Sequence, residues 1–238
     1  MKNLIAANWK MNPNSQKEAK KIFDAVREGA RGMNSEVVIC PPLVYLYASG
    51  FGEGVVAMGA QNVYFEDKGA FTGEISASMI KDLGVEYVII GHSERRKYFG
   101  ETDETVNKKI KKSLETGVKV IFCIGETEEE RNAGRKNDAL EKQLKIGLDG
   151  VDNLESINIA YEPVWAIGTG NNCSVEESKT SIEFIRQFVT PKTRILYGGS
   201  VKSDNSADYI KRAGANGLLV GGASLNPEEF IKIIKSAE

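Results

Sequence analysis

Three side chains able to carry acid–base chemistry stand where apolar runs of the sequence end. Glu162 closes a run that begins at residue 157. His92 follows a run that ends at residue 91, and Lys10 comes two residues after Asn8, where another run ends. A carboxylate, an imidazole and an ammonium group transfer protons or stabilise developing negative charge. Proton-transfer chemistry is therefore the first hypothesis, provided that the fold brings these residues together.

The segment after Glu162 is unusual for a surface loop. Proline cannot donate to a sheet ladder and biases the residue before it toward extended geometry, so Pro163 ends the strand and leaves Glu162 at its mouth. The next four residues are apolar and predict a lid that shields something from water: Val164, Trp165, Ala166 and Ile167. Three residues suited to a flexible end follow: Gly168, Thr169 and Gly170. The alternative is an ordinary connector beside one of 33 acidic residues.

Asn8 and Lys10 are separated by one residue. On an extended strand such residues point the same way, so both are expected to face the mouth of the fold. The alternative for Lys10 is a solvated loop lysine.

His92 is the only histidine of the chain. It stands where a strand meets the start of a predicted helix, and the unpaired N–H groups of a helix start disfavour a cationic ring. We therefore expect a neutral imidazole whose pKa lies below the usual value of about 6.5. A purely structural histidine is the alternative.

Glycine pairs follow the last two predicted strands, at Gly198-Gly199 and Gly221-Gly222. Glycine lets backbone N–H groups approach an anion without obstruction by a Cβ atom. Such pairs at the last two strand ends of a barrel predict a phosphate clamp. Either pair by itself is also typical of an ordinary turn.

Short β-branched runs alternate with amphipathic segments at roughly one pair per 30 residues, which is typical of βα repetition. The runs predict eight strands, at residues 4–8, 37–40, 55–60, 87–91, 118–124, 157–162, 194–197 and 217–220. Helices are predicted at residues 15–28, 104–115, 137–148, 175–189, 204–212 and 228–235. Eight such units in 238 residues fit a closed (β/α)₈ barrel. An open, doubly wound sheet is the rival, but no dinucleotide-binding fingerprint follows the first strand.

Composition limits the classes of function. No linker or low-complexity tract divides the chain, so residues 1–238 are expected to form a single domain. The formal charge of −2 gives no field to attract nucleic acid or an anionic membrane. The odd count of three cysteines fits no disulfide framework, and the first residues resemble no export signal. A cytoplasmic protein is therefore expected.

Several motifs stand in order along the chain: NWKMN, GHSERR, CIGE, YEPVWAIGTG, YGGS and VGGASL. Together they resemble the triosephosphate isomerase family over essentially the whole chain. The resemblance implies a TIM barrel that interconverts dihydroxyacetone phosphate and glyceraldehyde 3-phosphate, with no cofactor and no metal.

The resemblance also implies a role for each residue at the barrel mouth. Glu162 would be the base, His92 the proton donor to the carbonyl oxygens, and Lys10 with Asn8 would stabilise the enediolate. The implied phosphate-binding residues are Gly168, Ser200, Gly221 and Gly222. The implied supporting residues are Ser93, Glu94 and Tyr197. Tyr197 and Ser200 would latch the closed lid, whereas Glu94 is also compatible with an ordinary carboxylate in a first helical turn.

The segment at residues 69–76, GAFTGEIS, resembles the family loop that inserts into a partner subunit. It implies a homodimer in which Thr72 reaches the partner's site. A connection of about fifteen residues in a compact barrel usually has a function. An ordinary turn followed by a helix capped by Ser76 is compatible with the same sequence.

The chain departs from the family pattern after the lid. Asn171-Asn172-Cys173 stands where the family commonly has a basic residue and then small ones, which bears on the lid's C-terminal hinge. Two other classes remain as hypotheses: an aldolase with Lys10 as a Schiff-base nucleophile, and a phosphate-binding barrel without chemistry. Cys123 is expected to be buried packing, because no second histidine exists to activate it.

Overall fold

A computed structural model describes residues 1–47, 54–167 and 172–238. Eight parallel strands close into a barrel in which each strand pairs with the next along the chain, and β8 pairs with β1. The strands are β1 (Leu4–Asn8), β2 (Glu36–Cys40), β3 (Val56–Ala60), β4 (Tyr87–Ile90), β5 (Lys119–Ile124), β6 (Ile157–Tyr161), β7 (Arg194–Tyr197) and β8 (Gly217–Val220). The predicted (β/α)₈ barrel is confirmed.

Helices of the described part of the chain surround the barrel. They are α1 (Gln16–Gly29), α2 (Ala77–Asp82), α3 (Ser93–Phe99), α4 (Asp103–Glu115), α5 (Glu128–Asn132), α6 (Lys136–Gly147), α7 (Val175–Arg186), α8 (Ser206–Lys211) and α9 (Pro227–Ser236). The six predicted helices correspond to α1, α4, α6, α7, α8 and α9. In that same part of the chain no helix long and apolar enough to cross a membrane is found.

The strands are buried on both faces, which explains why they read as continuous apolar runs. In β1, Leu4 and Ala6 belong to the group that fills the barrel interior, whereas Ile5 and Ala7 pack in the layer under the helices. All eight predicted strands agree with the structure to within one residue at each end. The β6 run was predicted to include Glu162, which instead lies just beyond the last strand residue.

The end of the barrel opposite the mouth carries a partly buried polar cluster built on Arg194. Its guanidinium contacts Oε2 of Glu36 at 2.6 Å and donates to the Tyr87 hydroxyl at 3.1 Å and to Oδ1 of Asn158 at 2.8 Å. The Tyr87 hydroxyl donates in turn to Glu36. Burial opposes ionisation of Glu36, but the hydrogen bonds from Tyr87 and Arg194 outweigh it, so the pKa of Glu36 is lowered.

Candidate active site

One cavity of about 580 Å³ opens at the carboxyl ends of the strands. Four of its lining residues are the predicted catalytic set: Asn8, Lys10, His92 and Glu162. Three others are predicted phosphate-binding residues: Ser200, Gly221 and Gly222. The strand ends thus bring together side chains from positions far apart in the sequence. In a barrel this is the face where chemistry is built.

Glu162 is held in place mainly through its backbone. Its N–H donates to Ile124 O at 2.8 Å, and the carboxylate is almost fully buried. Its Oε2 accepts the N–H of Ser93 at 3.4 Å, which explains the supporting position of that serine. Two neighbours must be glycine: a Cβ atom would lie 1.7 Å from Glu162 O at Gly125 and 2.8 Å from Glu162 Cγ at Gly198.

The buried ring of His92 caps the start of α3. Its Nδ1 accepts the N–H of Glu94 at 3.2 Å, so the neutral ring carries its proton on Nε2. That Nε2 lies 3.2 Å from Oε1 of Glu162. Burial lowers the pKa of His92, but the charges of Glu162 and Glu94 outweigh it, and the net pKa is raised from the usual 6.5. The expectation of a lowered pKa is wrong because the sequence did not reveal how close Glu162 lies.

Lys10 lies beyond the end of β1 with a backbone φ of 54°. Its N–H donates to Oδ1 of Asn8 at 3.0 Å, and its ammonium donates to Oε1 of Glu94 at 2.6 Å. The argument from strand alternation does not apply to Lys10, because its backbone has left the extended conformation. Asn8 and Lys10 line the same cavity by this other route.

The glycine-rich strand ends form the wall of the cavity opposite His92. Gly222 begins a single 3₁₀ turn, Gly222–Leu225, that follows β8. Lys202 lines the same wall, and sequence reasoning missed it. The sequence feature that points to Lys202 is a basic residue two positions after Ser200, at a strand end already predicted to bind phosphate. Gly168, the remaining predicted phosphate ligand, lies outside the described residues.

The described part of the lid is Pro163 to Ile167, and it contains a 3₁₀ turn at Val164–Ala166. Ser200, one of the two residues predicted to latch the closed lid, donates its Oγ–H to Ala166 O at 2.8 Å. Ala166 is fully buried, and Ile167 lines the cavity. Thr169, Gly170 and Asn171 lie outside the described residues.

Trp165 is fixed by side chains from the segment after β5. Its Nε1 donates to Oε1 of Glu126 at 2.8 Å, and the guanidinium of Arg131 lies 3.8 Å from its ring centroid. Arg131 also pairs with Glu177 of α7 at 3.2 Å. Burial raises the pKa of Glu126 against the lowering effect of its hydrogen bonds. Sequence reasoning missed Glu126, although it ends the CIGE string, because only the cysteine of that string was interpreted.

Tyr197, the second predicted latch residue, is buried and stacks on Tyr209 with ring centroids 3.7 Å apart. Its hydroxyl has no hydrogen-bond partner among the described residues. Tyr209 instead donates to Cys173 O at 2.8 Å, at the C-terminal end of the lid. Cys123 is fully buried, as expected of a packing residue, and burial raises the pKa of its thiol well above the usual value.

Thr72 is exposed and does not line the 580 Å³ cavity of its own chain. Its loop, residues 61–76, borders a second cavity of about 370 Å³ through Gly73, Glu74 and Ile75. Lys10, His92 and Glu94 line this second cavity from the other side. The helix start capped by Ser76, the compatible alternative, is also present: Ser76 Oγ accepts the N–H of Met79 at 3.2 Å.

No group of three or more potential metal ligands is found among the described residues. The family model for triosephosphate isomerase matches residues 3–237 of the chain. Triosephosphate isomerase of Aquifex aeolicus is 47% identical over 247 aligned positions, which cover 99% of this chain and 100% of that protein. The same-named protein of Alkaliphilus metalliredigens is 46% identical over 245 positions, covering 98% of each.

Proposed function

Since the chain belongs to the triosephosphate isomerase family, we propose that it interconverts dihydroxyacetone phosphate and glyceraldehyde 3-phosphate by proton transfer at the barrel mouth. The observation that carries the proposal is the 3.2 Å approach of Glu162 Oε1 to His92 Nε2 inside a cavity that also holds Lys10. A base, a hydrogen-bond donor and a cation thus converge on one space, as enolisation requires.

Each group has a defined task in the proposed reaction. Glu162 takes the proton from the carbon beside the substrate carbonyl, and the electron pair of that C–H bond moves toward the carbonyl oxygen. His92 donates from Nε2 to that oxygen, since its Nδ1 is already occupied by the N–H of Glu94. The ammonium of Lys10 stabilises the negative charge of the enediolate. The proton of the hydroxyl on the carbon that Glu162 deprotonated passes through His92 to the former carbonyl oxygen, so this carbon becomes the new carbonyl. Glu162 returns its proton to the former carbonyl carbon, and the isomerisation needs no cofactor or metal.

The substrate must separate two groups that contact each other without it. In the described arrangement the Glu162 carboxylate is shared between Ser93 N–H and His92. A carbonyl placed against His92 Nε2 would take over the hydrogen bond to Oε1 of Glu162. The carboxylate would then be released to reach the substrate carbon.

The phosphate group is proposed to bind at the glycine-rich wall. Ser200, Gly221 and Gly222 line the cavity there, and Lys202 adds a positive charge that the dianion favours. Gly168 is proposed as a further ligand from the lid. Tyr197 is proposed to contact the lid when it closes.

We also propose a homodimer in which Thr72 of each chain reaches the site of its partner. Two of the residues that line the second cavity have large, exposed apolar side chains: Met11 is 89% exposed and Phe99 70%. Phe71, in the loop itself, is 40% exposed. An exposed apolar group of this size favours burial against a partner. Because Lys10 and Glu94 line the second cavity, a partner's loop inserted there would contact the ion pair that these two side chains form.

The proposed compartment is the cytoplasm. All three cysteines are buried free thiols, which suits a reducing environment.

A coupled assay tests the proposal. Wild-type protein should convert glyceraldehyde 3-phosphate to dihydroxyacetone phosphate, read as NADH oxidation by added glycerol 3-phosphate dehydrogenase. Glu162→Gln should lower kcat by at least about 10³-fold, since general-base catalysis and its positioning are both lost. Glu183→Gln, which changes an exposed carboxylate of α7, is the matched control and should keep full activity. A fully active Glu162→Gln protein would remove the mechanism.

The aldolase hypothesis makes a separate prediction for Lys10. Its Nζ is held by the Glu94 carboxylate at 2.6 Å, an ion pair that suits an electrostatic role rather than covalent attack. Borohydride added with dihydroxyacetone phosphate should therefore leave the protein mass unchanged. A substrate-mass adduct located on Lys10 would replace the isomerase mechanism with Schiff-base chemistry.

A further inference from the structure

Lys10 has an unusual backbone for a residue that carries chemistry. Among the described residues it is the only one other than glycine with a positive φ, at 54°. A side chain with a Cβ atom is strained in this left-handed region, so the conformation persists only where neighbours hold it. The contacts of the Lys10 peptide are therefore part of what aims its ammonium.

Gln61 makes the contact that holds the carbonyl of Lys10. Its Nε2 donates to Lys10 O at 2.8 Å and to Cys40 O at 2.9 Å. Gln61 directly follows Ala60, the last residue of β3, and Cys40 is the last residue of β2. One side-chain amide thus uses both its hydrogens to join the ends of two strands to the segment that follows β1.

The two carbonyls do not depend on Gln61 equally. Cys40 O also accepts the N–H of Trp9 at 3.2 Å, so it keeps a partner without the amide. Lys10 O has no other hydrogen-bond donor among the described residues. Loss of the Gln61 side-chain amide would therefore act chiefly on the peptide group that follows Lys10, and through it on the backbone angles of Lys10.

We infer that Gln61 is a positioning residue for the ammonium of Lys10, an inference that rests on the proposed isomerase function. Gln61 lines the second cavity and not the 580 Å³ cavity proposed for the substrate, so we expect it to act through Lys10. The peptide orientation that it fixes places Lys10 Nζ 2.6 Å from Glu94. Were Lys10 to relax to a negative φ, its Cα–Cβ bond would turn and the ammonium would leave the cavity wall.

A double-mutant cycle tests the inference. Gln61→Met keeps the length of the side chain and removes its donors, and Lys10→Met removes the ammonium. We expect Gln61→Met to lower kcat/KM by about tenfold or more in the wild-type background, through both kcat and KM. In the Lys10→Met background it should change kcat/KM by less than about twofold, because coupled residues are non-additive. An equal loss in both backgrounds would overturn the inference.

A matched control separates positioning from a general loss of packing. Asn107 also donates its side-chain amide to two backbone carbonyls, Gly147 O and Asp149 O at 2.9 Å, but it lines neither cavity at the mouth. Asn107→Leu should leave kcat/KM unchanged in both backgrounds. Gln61→Glu, which keeps the shape without the donors, should reproduce the loss seen with Gln61→Met. Sedimentation of each variant at assay concentration excludes a change of oligomeric state as the cause.

A structural measurement makes the inference independent of the reaction. In a crystal structure of Gln61→Met, φ of Lys10 should leave the left-handed region and the Lys10–Glu94 ion pair should break. Retention of both features would overturn the inference even if the variant were slow. An inactive wild-type protein whose Lys10 backbone nevertheless relaxes in Gln61→Met would instead defeat the proposed function alone.

Discussion

The Nε2 atom of His92 lies 3.2 Å from Oε1 of Glu162, and both side chains are buried at the barrel mouth. This contact decides the protonation of the histidine in the absence of substrate. The carboxylate favours the imidazolium, whereas burial and the N–H of Glu94 at Nδ1 favour the neutral ring. The pKa of His92 is raised on balance, so the neutral donor that the reaction uses is lost as pH falls through this raised value.

Removal of the Glu162 charge should reverse this balance. In Glu162→Gln the burial of His92 is unchanged while the carboxylate is gone, so the pKa of His92 should fall below its wild-type value. The ¹⁵N chemical shifts of the single histidine, followed between pH 4 and about 9, report the pKa of His92 in wild type and in Glu162→Gln. An unchanged titration in Glu162→Gln would show that Glu162 does not set this pKa.

The strands and the identity of most residues at the site could be predicted from the sequence, because both depend on local sequence patterns. Glu162 could be placed at a strand end since an apolar run precedes it and proline follows. The pKa of His92 could not, because it depends on a distance between residues 70 positions apart in sequence, 92 and 162. The role of Gln61 was also invisible, since its partners are backbone carbonyls of other strands.

The short helices show a second limit of sequence reasoning. Helix α5, Glu128–Asn132, has no buried residues, so it offers no apolar stripe to recognise. Reciprocal hydrogen bonds between Thr127 and Glu130 form its capping box. A threonine followed three residues later by a glutamate is the sequence signature of such a helix start. Residues 168–170 of the lid lie outside the described residues, so the predictions for Gly168, Thr169 and Gly170 stay predictions.

The polar cluster at the closed end of the barrel should make stability depend on pH. The pKa of Glu36 is lowered from 4.5, so the folded protein holds fewer protons there than the unfolded chain. The stability that the ionised Glu36 carboxylate contributes is fully present above pH 4.5 and is lost as pH falls through its lowered pKa. Arg194→Met leaves the partly buried carboxylate without the guanidinium that contacts it at 2.6 Å and should cost about 2 kcal/mol at pH 7.

Urea unfolding of wild type, Arg194→Met and Glu36→Gln between pH 3 and about 7 checks this prediction. The difference between wild type and Glu36→Gln should shrink at the acid end, where the carboxylate of Glu36 becomes protonated. A difference that stays constant over the whole pH range would show that the charge of Glu36 contributes nothing to stability.

The proposed dimer predicts a link between the loop at residues 61–76 and activity. Removing residues 66–73 should give a monomer of low activity, since the exposed apolar side chains around the second cavity lose their partner. Phe99→Lys, which places a charge on this surface, should act in the same direction. Val55→Lys, at a residue that is 50% exposed near the start of β3, is the control and should remain dimeric.

Sedimentation velocity with activity measured on the same samples checks the dimer. The two variants should sediment more slowly than wild type and Val55→Lys, and their activity should rise with protein concentration as subunits associate. Wild-type protein that sediments as a fully active monomer would refute the proposal for Thr72.

The lid is attached to the barrel separately from the catalytic base. Trp165 donates to Glu126 at 2.8 Å, and Ala166 O accepts the Ser200 hydroxyl at 2.8 Å. Glu162 is fixed by its own N–H to Ile124 O at 2.8 Å, and the preceding residue by Gly198 N–H to Tyr161 O at 2.8 Å. The base should therefore keep its position when the lid is removed.

Replacing residues 164–170 with a short Gly/Ser link should leave the fold intact and lower turnover, because water then reaches the enediolate phosphate. An enediolate exposed in this way can expel its phosphate, so part of the product should become methylglyoxal and inorganic phosphate. Parallel assays of glyceraldehyde 3-phosphate, methylglyoxal and phosphate measure the partition, and Ser200→Ala should shift it in the same direction by a smaller amount. If the lidless protein turns over slowly but releases no excess phosphate per isomerisation, the lid has a task other than guarding the intermediate, and the contacts of Trp165 and Ala166 would then serve to position the substrate.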